Sequence, residues 1–167
     1  RESQPLRIYS TELVRDLLCE GNSYYRMLNQ FEGHIDWIAM ETGAPFELTG
    51  MNVAGSGLQC TVYPLGGKPP FWARHLSNQV GVAVVGLLIV DQKSGARLGY
   101  FPGVGAIDDD LLTVLSTCDV ILVDGYGAES QAEAMSTPAF YRDCARVLGD
   151  AGTLVVNLWS GDRAFTA

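Results

Sequence analysis

The chain has 167 residues, 47% apolar and 18% charged, which is enough for one domain with a buried core and too apolar for a disordered chain. Its net charge of −8 excludes the Lys/Arg-rich face that nucleic-acid phosphates require. The longest apolar run, Val80 to Val90, is too short to span a bilayer and is broken by two glycines.

In chain order, Leu6 to Tyr9 reads as a short strand, and Ser10 or Thr11 can cap a helix with Leu13, Val14, Leu17 and Leu18 on one face. Gly21-Asn22 ends or kinks that helix. A second apolar stretch follows through Tyr24, Tyr25, Met27, Leu28 and Phe31, and His34 falls in a turn. Ile35 to Met40 and the segment around Phe46-Glu47-Leu48 read as strands. Leu58, Cys60 and Val62 alternate with Gln59 and Thr61, the period of a half-buried strand. Pro64 to Ala73 holds three prolines and two glycines and reads as a loop.

Val80 to Asp91 is rich in β-branched residues and predicts a buried strand. Lys93-Ser94-Gly95 turns it into a hairpin with Arg97 to Phe101. Asp108, Asp109 and Asp110 open a helix at the end its dipole makes positive, with Leu111, Leu112 and Leu115 as its core face. Cys118 to Asp124 predicts a buried strand with a carboxylate at its C-terminal lip, where α/β proteins commonly bind ligands. Thr137-Pro138 starts another helix, with proline in its first turn. That helix carries Phe140, Tyr141, Cys144, Val147 and Leu148, and Gly152 to Leu158 reads as a last buried strand. The order is β-rich first and βαβ at the end, an α/β layered architecture in a single domain, 1–167.

The four cysteines stand singly, which disfavours a zinc knuckle and suits buried thiols in a cytoplasmic protein. The chain opens on Arg1 and closes at Ala167 just after a strand-like run, the pattern expected of a fragment of a longer protein.

Residues 7 to 125 carry a set of stretches in one order. They are Ile8-Tyr9-Ser10-Thr11-Glu12-Leu13, Val62-Tyr63-Pro64-Leu65-Gly66-Gly67-Lys68-Pro69-Pro70-Phe71, Val85-Gly86-Leu87-Leu88-Ile89-Val90-Asp91, Ser94-Gly95-Ala96-Arg97-Leu98-Gly99-Tyr100-Phe101-Pro102-Gly103-Val104-Gly105 and Leu122-Val123-Asp124-Gly125. As a set they resemble the pyrroloquinoline quinone biosynthesis protein B family, which has the metallo-β-lactamase fold. The resemblance implies a layered mixed sheet of that type, incomplete here. It implies a zinc or iron centre in the complete parent, and a small-molecule or peptide-derived substrate. By the same resemblance Asp124 is the metal-site and catalytic carboxylate and His75 a second metal ligand. The fold's main His/Asp cluster is not in the sequence, whose only histidines are His34 and His75. The chain alone is therefore expected to retain no metal, since a metal site needs several converging ligands.

Residues 119 to 167 carry a second set: Asp119-Val120-Ile121-Leu122-Val123-Asp124-Gly125-Tyr126, Met135-Ser136-Thr137-Pro138-Ala139-Phe140-Tyr141 and Ala151-Gly152-Thr153-Leu154-Val155-Val156-Asn157-Leu158-Trp159. These resemble spermidine synthase, of the Rossmann-like methyltransferase fold, and imply a strand-helix-strand unit with a seam at 119–127. There Asp124 would orient or deprotonate an attacking amine. The second acid expected three residues later is Gly127.

The reading is a fragment of a pyrroloquinoline quinone biosynthesis protein, inactive alone and without nucleic-acid or membrane partners. The alternatives are an aminopropyltransferase or a non-catalytic hybrid. Pairing of the Asp124 strand with Arg97 to Phe101 in a mixed sheet is expected if the first family governs. Parallel neighbours on both sides, with Thr153 to Leu158 nearby, are expected if the second does.

Overall fold

The computed structural model describes residues 5–20, 27, 30, 32–50, 55–65, 82–104, 107–124 and 137–157. In chain order these form β1 (Leu6–Ser10), α1 (Glu12–Cys19), β2 (Ile35–Ala39), β3 (Phe46–Glu47), β4 (Leu58–Pro64), β5 (Val85–Asp91), β6 (Arg97–Tyr100), α2 (Asp109–Leu115), β7 (Val120–Val123), α3 (Pro138–Leu148) and β8 (Thr153–Val156). The fold is the expected α/β layered type with a mixed sheet.

Strands β3 to β8 lie side by side in chain order in one six-stranded sheet, while β1 and β2 form a separate parallel pair. From β3 to β6 the neighbours are antiparallel, and from β6 to β8 they are parallel. Helices α2 and α3 supply the two parallel crossovers and pack on one face of the sheet. That face holds two apolar clusters, one around Leu65, Phe101 and Leu111 and one around Leu88, Cys118 and Ile121. The ring of Phe101 lies over two glycines on adjacent strands. A Cβ on Gly99 would stand 2.6 Å from Phe101 Cε2 and 2.9 Å from Cys118 Sγ, and one on Gly86 would meet the same ring.

The opposite face carries Cys60 and Val62, 1% and 0% exposed. The β1–β2 layer is tied to this side of the sheet. Tyr9 stacks on Phe46 at 5.5 Å, its hydroxyl donates to the Thr49 carbonyl at 3.0 Å, and Thr11 Oγ1 donates to the Val82 carbonyl at 2.7 Å. Arg7 forms an ion pair with Asp36 at 2.7 Å, across the β1–β2 register.

The helix starts follow their sequence signals. Thr11, Asp108 and Thr137 each accept a hydrogen bond from the amide three residues on. Thr11, not Ser10, is the first cap. Asp108 stands just outside α2, and Asp109 and Asp110 occupy its first turn.

Several boundaries differ from the expectations. Strand β5 begins at Val85 and not at Val80: its ladder with β4 runs to Pro64–Val85, with one further backbone bond from Leu65 N to the Val84 carbonyl at 3.1 Å. Residues 80 and 81 lie outside the described set. Leu112 is 45% exposed, since α2 turns Leu111, Val114 and Leu115 toward the core and leaves Leu112 off that face. The last strand is not buried. It is a sheet edge among the described residues, it spans only Thr153–Val156, and Val155 is 44% exposed. The stretch from Tyr24 to Phe31 lies mostly outside the described residues, as does the loop after Leu65 to Ala73. Of the expected seam, 119–124 runs unbroken through the hydrogen-bonded sheet and 125–127 lies outside the described residues.

Candidate functional site

Strand β7 places Asp124 one residue past its C-terminal end, half-buried at the lip of the parallel half of the sheet. Three segments meet there. The Asp124 carbonyl accepts from Gly103 N at 3.2 Å, in the loop after β6. Asn157, just past β8, donates its backbone N–H to the Val123 carbonyl at 3.0 Å and its Nδ2 to Asp124 Oδ1 at 3.1 Å. A carboxylate only accepts, so the amide presents its NH₂ to it.

Register explains why these side chains meet. Ile121, Val123 and Leu154 pack on the helix-covered side, so Val120 and Leu122 of β7 and Val155 of β8 face the other way. Asp124 and Asn157 continue that second row. The site is therefore a carboxylate and an amide at the end of an apolar row on the face away from α2 and α3. Asn157 was missed in the sequence reading. Its signal is its position one residue past β8, in parallel register with the residue one past β7.

His75 lies outside the described residues. His34 is in the turn before β2, where its carbonyl accepts from Leu6 N at 2.9 Å, beside the small sheet. Among the described residues no three His, Cys, Asp or Glu side chains group closely enough to hold a metal ion. All four cysteines are free thiols; burial pushes the Cys60 and Cys118 thiols up from their ordinary pKa, which suits core packing and opposes thiolate chemistry. A second feature, an open cleft of about 280 Å³, is lined by Arg15, Asp16, Cys19, Glu20 and Trp37, with no residue from β6, β7 or β8. Among the described residues no helix is long and apolar enough to cross a membrane.

The orientation of β7 meets both expectations set for it. It pairs with β6 in a mixed sheet, and it also runs parallel to both β6 and β8. Comparison with known proteins separates them. A family model described as a beta-lactamase superfamily domain matches residues 1–157, through β7, α3 and β8. The coenzyme PQQ synthesis protein B of Pseudomonas protegens is 31% identical over 125 residues, which is 75% of this chain and 40% of that protein. The protein of the same name from Pseudomonas putida W619 matches equally, at 31% over 75% and 40%. The chain thus spans about two fifths of these relatives' length. A crystal structure of Zn(2+)-bound PqqB from Methylobacterium extorquens superposes with a TM-score of 0.60 at 22% identity, covering 94% of this chain and 56% of that one.

Proposed function

We propose, from the premise that the chain belongs to the beta-lactamase superfamily, that it is a portion of a B-type protein of pyrroloquinoline quinone biosynthesis and carries out no reaction alone. The observation that supports this most is the 31% identity over 75% of the chain to proteins of that name. In a complete parent, zinc or iron would sit at the lip of the sheet, with Asp124 and His75 as this chain's contributions. The substrate would be a small or peptide-derived precursor of the quinone.

The described donor set does not fit such a metal. Among the described residues it offers no group of three ligating side chains. The sequence has only two histidines, and His34 lies in the turn before β2, beside the small sheet. On this reading, metal-dependent chemistry would belong to a longer protein, whose further residues would supply most of the ligands.

A chimera tests the assignment. The matching segment of the Pseudomonas protegens relative is replaced by this chain, and quinone formation is measured in a strain lacking that relative. Restored formation by the chimera, and none by the chain alone, is the expected result. A chimera that accumulates as folded protein and yields no quinone overturns it.

A further inference from the structure

We infer that Asp124, in this chain, is the acceptor half of a metal-independent clasp that joins the ends of β7 and β8, with Asn157 as the donor half. The side-chain bond from Asn157 Nδ2 to Asp124 Oδ1 is 3.1 Å, and backbone bonds flank it on both sides. Asn157 N holds the Val123 carbonyl at 3.0 Å, and Gly103 N holds the Asp124 carbonyl at 3.2 Å. Three consecutive segments of the sheet thus converge on one dipeptide.

The opposite end of β7 has the same device. Asp119 Oδ2 accepts from Arg97 N at 2.8 Å, its N–H donates to the Arg97 carbonyl at 2.9 Å, and its carbonyl accepts from Thr153 N at 2.8 Å. Each end of the central parallel strand therefore carries an aspartate whose carboxylate satisfies an N–H group from a neighbouring segment. At the Asp119 end the donor is a backbone amide and at the Asp124 end it is a side-chain amide, so only the second can be removed by substitution. Among the described residues no group of three ligating side chains includes Asp124. The inference does not depend on the quinone assignment and stands whether or not the chimera forms quinone.

Thermal melting of the purified 167-residue chain, with EDTA and then with added zinc chloride, tests it alongside the variants Asn157→Ala, Asp124→Ala, their double variant and Asn157→Asp. Each alanine variant is expected to melt about 2 °C lower, the effect of losing one surface hydrogen bond in a chain of this size. The double variant should melt no lower than Asn157→Ala alone. Asn157→Asp should melt lower than Asn157→Ala, because it sets a second negative charge against the first. Zinc should leave the wild-type melting point unchanged. Additive losses in the double variant overturn the clasp. So does a zinc-induced rise in the wild type that disappears in Asp124→Ala, which would make Asp124 a ligand.

Discussion

The antiparallel half of the large sheet, β3 to β6, is held by ladders and by a tight turn between β5 and β6, whereas the parallel half, β6 to β8, is joined by two helical crossovers. The difference explains how one sequence came to resemble two families. A strand, a capped helix and a second parallel strand recur in every doubly wound fold, because each piece solves a local problem of burial and capping. Such a unit says little about which fold contains it. The ladders of the antiparallel half are more discriminating, since their register commits residues far apart in the chain to shared faces. The family model matches both halves, to residue 157.

Phe101 is where the halves meet, so it offers the strongest way to break the comparison. It leaves β6, covers Gly86 on β5 and Gly99 on β6, and packs with Leu111 of α2. Phe101→Ala is expected to destabilise the chain by about 3–5 kcal/mol and to unfold both halves together in urea. Separate transitions for the two halves would show that each has its own core. A smaller loss, about 1–3 kcal/mol, is expected for Gly99→Ala, because its Cβ would press on both Phe101 and Cys118. The two substitutions share one space. Gly99→Ala should therefore cost less in the Phe101→Ala background than alone, measured as a double-mutant cycle.

The helix caps sharpen the comparison on the parallel side. Asp108→Ala and Thr137→Ala each remove an acceptor for an amide of the first turn, 2.8 Å to Leu111 N and 3.2 Å to Phe140 N. Each is expected to cost about 1 kcal/mol. Amide hydrogen exchange in α2 or α3 should then speed up about fivefold, with β4 and β5 unaffected if the halves open separately.

These elements also show what was readable from the sequence. The caps, the hairpin at Lys93-Ser94-Gly95 and the alternation of β4 are local, so residue type and spacing revealed them. The limits of β5 and β8 are not local, because they depend on partners: β5 pairs with β4 only from Val85 on, and β8 has a neighbour on one side only among the described residues. Leu112 was misassigned because three leucines near one helix start were treated as one face. At the candidate site Asp124 stood out as a charge closing an apolar run. Asn157 did not, because nothing in its own segment marks it until β8 is aligned with β7.

The smallest expected effect lies in the antiparallel half, at the turn between β5 and β6. Asp91 accepts from the Ser94 hydroxyl at 2.5 Å and from Lys93 N at 3.0 Å, while its backbone pairs with Gly95 and Ala96. Gly95 completes the turn at φ 78°, a left-handed conformation that glycine adopts without strain. The Ser94 hydroxyl first, and the Lys93 amide second, hold the Asp91 carboxyl below its ordinary value of 3.8. A depressed folded-state pKa means the ionised form is preferred in the fold. Its contribution is complete above 3.8 and is lost as pH falls through the folded value. Asp91→Asn should therefore loosen the hairpin near neutral pH and flatten its acid response below pH 3.8, read from hydrogen exchange at position 91 and at Gly95, whose amides close the turn. Because the group is exposed, the change should stay within the turn and leave α2 and α3 untouched. Loss of protection in those helices would mean that the hairpin and the crossovers form one cooperative unit.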